Sequence, residues 1–147
     1  MNLFGVMEIS GSALKAERVR AEVVASNMAN SETTRTESGG PYRRHHVVFS
    51  AQDATTTFGH TLLNLGAPAA PSGGVAVTGV IEDQGNPLMR FDPGHPDAGS
   101  DGYVAYPDIN PLTEMVDLMG ATRSYGMNAS AIQAEKGMLA SSLEILK

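Results

Sequence analysis

The groups in this chain best suited to chemistry are its four histidines and the carboxylates near them. His45 and His46 are adjacent in a stretch, residues 43–50, that reads as a short strand through Val47, Val48 and Phe49. Neighbouring side chains on a strand point to opposite faces, so the two imidazoles do not converge on one ion. Asp92, His95 and Asp97 sit in a Gly/Pro turn cluster and could meet a cation. Asp and Gly are expected in such turns for backbone reasons alone. A small hydrolase or metal-binding protein using His45, His60, His95 and Asp97 would need a nucleophile and a base at workable spacing, and the chain offers none. There is no Gly-rich phosphate loop ahead of a helix, no H-E-x-x-H and no G-x-S-x-G. Cysteine is absent, which removes disulfides and thiolate metal sites. Asn128-Ala129-Ser130 is a formal glycosylation sequon, but it lies inside a helical pattern. No catalytic, cofactor-binding or metal-ligating residue is expected, and no cofactor.

The strongest periodic signal is of another kind. Met115, Leu118, Thr122, Tyr125 and Ala129 alternate in steps of three and four. Ile132, Lys136, Leu139, Leu143 and Leu146 continue the pattern to the end of the chain. This is a heptad seam interrupted by Thr122 and Lys136, and such a seam faces a partner helix. A helix over residues 112–146 is roughly 50 Å long at 1.5 Å per residue. A compact domain of this size cannot enclose such a rod, so the seam asks for a helix of this chain or of neighbouring copies. Pro111 suits the first turn, where its missing N–H leaves no bond unmade. Gly120, Gly126 and Gly137 fall off the seam, and each weakens an isolated helix by about 0.5–1 kcal/mol. Thr122 and Lys136 either fix register or lie at the seam edge, with Lys136 extending to water.

A second helix is expected over residues 6–29, which contain no Pro. Glu8, Ser12, Lys15, Glu22 and Ser26 gather on one side of its wheel. Leu14, Ala21, Val24 and Met28 belong to one apolar stripe, and Ala13, Ala16 and Val23 to another. An ordinary surface helix buries one stripe. Two stripes suit either a core helix of a bundle or a helix with more than one neighbour. Asn27 and Asn30 close this helix. Asn27 shares the face of Ala13, Ala16 and Val23, so its amide is expected in a packed interface. It should bond the C-terminal helix, near Arg123 and Asn128, of the same or an adjacent subunit. The alternative is a plain helix C-cap.

Between the helices the composition changes. Residues 30–40 are polar and turn-rich, and residues 65–74 read as a Pro/Gly/Ala linker. Residues 74–82, 88–91 and 102–106 are strand candidates, and residues 92–102 a turn cluster. So few large apolar groups make a weak core that gains from packing against something else. Aromatics are 5% of the 147 residues and Trp is absent, which excludes a large aromatic core. The net charge of -6 argues against nucleic acid. No apolar run is long enough to span a bilayer, so no direct membrane insertion is expected. The first ten residues have no basic and apolar signal regions, so a cleaved signal peptide is not expected.

Two stretches carry a recognisable pattern. The first is Ser26-Asn27-Met28-Ala29-Asn30, followed by Ser31-Glu32-Thr33-Thr34. The second opens at Gly102-Tyr103-Val104 and runs through Pro107-Asp108-Ile109-Asn110 and Glu114-Met115-Val116. It continues to Arg123-Ser124-Tyr125, Asn128 and Lys136-Gly137-Met138. Together they resemble the terminal signatures of the bacterial flagellar rod, hook and hook-associated family. The middle, with Pro41-Tyr42-Arg43, Gly74-Val75 and Asn86-Pro87, is most similar to proximal-rod members. The resemblance implies an α+β fold in which N- and C-terminal helices pair as a coiled-coil-like inner domain, residues 1–32 and 108–147. A small glycine/proline-rich β-domain, residues 33–107, lies outside it. It implies a structural subunit of the basal-body rod, exported uncleaved by the flagellar type III apparatus. Its partners would be copies of itself, other rod subunits and the MS-ring/rod junction protein. The seam residues, the stripe of Leu14, Ala21, Val24 and Met28, and Asn27, Asn30, Arg123 and Asn128 are then expected to pack subunits together. A cytosolic coiled-coil adaptor would explain the helices but not the glycine-rich middle.

Overall fold

The computed structural model describes residues 3–52 and 73–145. Two long helices frame four short strands. Helix α1 is Leu3–Ala29 and helix α2 is Pro111–Ile145. Strands β1 (His45–Ala51) and β2 (Val75–Glu82) form one antiparallel pair, and β3 (Leu88–Phe91) and β4 (Tyr103–Tyr106) another. The expected linker over residues 65–74 lies almost wholly outside the described residues, as do His60 and Leu146. Helix α1 begins three residues before the expected Val6. The strand expected over residues 43–50 begins two residues later and extends to Ala51.

Local chemistry sets the boundaries. Asn110 caps α2: its Oδ1 accepts the Leu112 N–H at 3.0 Å and its carbonyl accepts the Glu114 N–H at 3.1 Å. Pro111 then occupies the first helical position, where no N–H is needed. At the end of α1 the Asn30 side chain donates to the Ser26 carbonyl at 2.9 Å and accepts the Thr33 hydroxyl at 3.1 Å. Among the described residues no non-glycine residue has positive φ, so the helix closes by side-chain bonding and not by left-handed geometry. In the β3–β4 hairpin, Gly102 has φ +77°, and a Cβ there would lie 2.8 Å from the Phe91 ring. Only glycine lets the chain turn against that ring. The β1–β2 ladder slips between Val48 and Phe49, where Gly79 and Val77 are the successive partners. That slip is a β-bulge.

Helices α1 and α2 lie side by side and antiparallel. Asn27 near the end of α1 bonds Glu114 at the start of α2, and Arg20, two turns earlier, reaches Asp117. The β1–β2 pair lies on α1. Helix α1 thus meets α2 on one side and a sheet on another, and its two stripes supply one buried residue each, Val24 and Ala16.

The interior is small and polar. Among the described residues the buried hydrophobic side chains are Ala16, Val24, Val104 and Ala121. Ser10, Asn27, Glu114 and Glu135 are buried with them.

The seam of α2 requires a correction. Its heptad spacing is present, but the line buried within the subunit runs one residue earlier. Glu114, Ala121 and Glu135 are buried, while Met115, Thr122 and Lys136 beside them are exposed. One residue is about 100° of rotation on an α-helix. Asn27 and Arg44 draw the Glu114 carboxylate inward. Leu118, Ala129, Ile132 and Leu139 are half-buried, and Tyr125 and Leu143 are exposed. Thr122 turns its hydroxyl back to the Leu118 and Met119 carbonyls, both at 3.0 Å. Within one subunit Thr122 and Lys136 therefore lie outside the helix contact.

Candidate subunit-packing site

The polar interior concentrates where the end of α1, the start of β1 and the start of α2 meet. Asn27 is 1% exposed and all four hydrogen-bonding positions of its amide are used. Its Nδ2 donates to the His45 carbonyl at 2.9 Å and to Glu114 Oε2 at 3.1 Å. Its Oδ1 accepts the His45 N–H at 2.9 Å and the Tyr42 hydroxyl at 3.2 Å. The amide therefore pairs with the first residue of β1 as a neighbouring strand would, through both main-chain groups. Glu114 is likewise 1% exposed. Arg44 Nε donates to its Oε1 at 2.7 Å, and Arg44 Nη2 approaches the same oxygen. Burying a carboxylate is tolerable only when it is paired and hydrogen-bonded, and here both oxygens are. Its place in the first turn of α2 adds the favourable end of the helix dipole.

The network extends along the helices. Arg44 Nη2 also lies 3.7 Å from Asp117 Oδ2, and Arg20 Nη2 lies 3.5 Å from Asp117 Oδ1. Arg20 Nη1 is 3.7 Å from Glu17. Carboxylates and guanidiniums thus alternate from α1 across to α2 and β1.

Asn27 meets the C-terminal helix, but not at Arg123 or Asn128. Antiparallel pairing brings the last turn of α1 to the first turn of α2, so Glu114 is its partner. The Asn128 amide donates to the Ser124 carbonyl of its own helix at 2.9 Å, and Arg123 is exposed. Leu14, Ala21 and Met28 are half-buried on α1. Glu114, Arg44 and Tyr42 escaped the sequence reading as site residues. An acidic residue three places after Pro111 was a visible signal, but it reads equally as an exposed dipole partner.

The described histidines His45, His46 and His95 contact neighbouring groups of the fold. His45 Nδ1 lies 2.8 Å from the Tyr42 hydroxyl, and its Nε2 lies 3.6 Å from Glu82, its ladder partner. His46 Nε2 lies 3.7 Å from Asp83. His95 Nδ1 accepts the Asp97 N–H at 3.1 Å, and Asp97 accepts the Thr34 hydroxyl at 2.8 Å. The turn carboxylate ties residues 34–35 to the hairpin loop. Among the described residues no three His, Cys, Asp or Glu side chains converge as metal ligands would.

The outer face of α2 is apolar and uncovered in the isolated subunit. Leu112, Met115, Val116, Met119, Met127 and Met138 are each about half exposed or more.

Comparison with known proteins gives consistent matches. Residues 7–35 match the family described as flagella basal body rod protein. Residues 100–145 match the flagellar basal body rod FlgEFG protein C-terminal family. The chain is 43% identical to the flagellar basal-body rod protein FlgC of Bacillus subtilis (strain 168), over the whole of both chains. It is 37% identical to the FlgC of Escherichia coli O6:H1, across 99% of this chain and 98% of that one. With the FlgC of Borreliella burgdorferi the identity is 34%, across 100% of this chain and 99% of the relative.

Proposed function

The chain belongs to the flagellar basal-body rod protein family, and we propose on that premise that it polymerises through its terminal helices into a shaft that carries motor torque. It is a structural subunit of the rod, resides in the basal body and assembles with other rod components. The observation that carries the polymerisation reading is the uncovered apolar face of α2. Leu112 is 69% exposed, Val116 57% and Met119 58%. Helix α1, with 27 residues, cannot cover α2, with 35. Burying side chains of this kind contributes about 1.5–3 kcal/mol each, a gain realised only when neighbours arrive.

Identical subunits that meet through different surfaces form open helical arrays. The apolar face of α2 and the charged outer face of α1, with Glu8, Lys15, Arg18 and Glu22, are two such surfaces. The terminal segments, residues 1–32 and 108–147, act as the inner unit and residues 33–107 as the outer one. Export runs through the flagellar type III apparatus without cleavage, and one end of the series meets the MS-ring/rod junction protein. The names of the relatives describe rod proteins, which supports a role without catalysis.

The test is deletion followed by microscopy of isolated basal bodies. Rods should be missing and swimming lost, and both should return with the intact gene. Rods of normal number in the deletion strain would defeat the reading.

A further inference from the structure

The β1–β2 sheet is held on α1 at both of its ends by a side chain that bonds main chain. At one end the Asn27 amide grips the N–H and carbonyl of His45, the first residue of β1. At the other the Ser12 hydroxyl accepts the N–H of Val75, the first residue of β2 and the ladder partner of Ala51, at 3.0 Å. The same hydroxyl donates to the Ile9 carbonyl at 2.7 Å, which fixes its direction. The spacing of the two contacts agrees between the elements. Ser12 to Asn27 is about 22 Å along a helix at 1.5 Å per residue. His45 to Ala51 is about 20 Å along a strand at 3.3–3.4 Å per residue. Neither contact depends on the identity of a sheet side chain. A two-stranded sheet with few buried apolar side chains is otherwise poorly specified in register and easily shifted.

We infer that Ser12 and Asn27 are paired positioning residues that fix the register of the sheet along α1, and that Glu114 with Arg44 makes this register depend on α2 lying alongside. The role rests on the rod-subunit reading above, because it concerns how a subunit presents its sheet within the rod. Asn27 spends one donor on Glu114, and Glu114 holds Arg44, the residue that precedes β1. The grip of α1 on β1 is therefore completed only when the first turn of α2 is in place. A subunit whose terminal segments have not paired cannot set its sheet.

The chain has no cysteine, so an introduced pair is unique. Val19 and Ala76 line one groove between α1 and β2. A Val19→Cys, Ala76→Cys chain, expressed as the sole copy, is treated with a short bis-maleimide in isolated basal bodies. Neighbouring subunits hold the helices there, so the yield of intramolecular cross-link reports the sheet. Ser12→Ala or Asn27→Leu should lower that yield at least about twofold, because an unmade bond lets shifted registers compete. Arg44→Met should lower it as well, and Arg44→Lys, which keeps the charge, should restore most of it. Full yield in both Ser12→Ala and Asn27→Leu overturns the inference. If Asn27→Leu leaves no basal bodies to treat, Ser12→Ala decides, because Ser12 bonds the sheet and not α2. Absence of the unsubstituted chain from basal bodies would instead count against the rod reading itself.

Discussion

Replacing Asn27 by Leu keeps its size and removes four hydrogen bonds at once. The His45 main chain, Tyr42 and Glu114 would each lose a partner, and a buried group left unsatisfied costs about 1–3 kcal/mol. Asn27→Leu should be exported yet build few rods, counted by microscopy against secreted protein. Glu114→Ala should also build few rods, because it removes a partner of Asn27 and leaves Arg44 only the longer contact with Asp117. The histidines predict the opposite. Their contacts are replaceable and form no ligand set, so His45, His46 and His95 changed together to Asn should leave swimming nearly intact at normal protein level. Asp83, just after β2, offers a pH test. The Gly85 N–H donates to its Oδ1 at 2.9 Å and holds its carboxyl below the usual carboxylate range, with His46 adding a smaller pull. The small stabilisation is present above the unfolded carboxylate pKa and is lost as pH falls through the lowered folded value. Carboxyl titration by NMR should show the low midpoint, and Gly85→Pro, which lacks the N–H, should return it to the ordinary range.

The two helices were legible as elements because their signals are local. A Pro-free run ending in Asn, and Asn110-Pro111 ahead of a long 3–4 repeat, mark helices whatever they pack against. Which face of α2 turns inward was not legible. Hydrophobicity favours the line through Met115, yet the subunit buries the line through Glu114, because Arg44 and Asn27 lie far from it in sequence and adjacent in space. The subunit half-buries Ile132 and Leu139 of the apolar line and leaves Met115, Tyr125 and Leu143 open for neighbours. Ile132→Asp or Leu139→Asp puts a charge on that line, which costs several kcal/mol where it is buried unpaired. Assembly should then fail while the variant subunit is still secreted, as judged by its amount in the medium. Assembly at normal level with either aspartate would show that the line stays open to water in the rod.

The subunit as a whole has little to hold it together alone. The buried residues shared by α1 and α2 are small or polar, and Gly120, Gly126 and Gly137 stand in α2 with nothing against them. Isolated helices are marginal in water, and packing supplies most helical stability in proteins. Circular dichroism of a dilute, demonstrated monomer should therefore show much less helix than α1 and α2 contain. Full helicity would mean that the polar interface suffices unaided. A loosely held monomer also suits the proposed export through a channel.

Local pattern was enough for the α+β order, for both long helices and for the position of each described strand within two residues. Caps, periodicity and turn residues act between near neighbours, so they survive in a one-dimensional reading. The family likeness was legible for the same reason, since its motifs are contiguous. The tertiary structure decided what depends on residues far apart. It rotated the buried line of α2 by one position, made Glu114 the partner of Asn27, and set Ser12 and Asn27 at matching ends of a sheet. Each of these is a meeting of side chains with backbone or charge across tens of residues, and no periodicity encodes such a meeting.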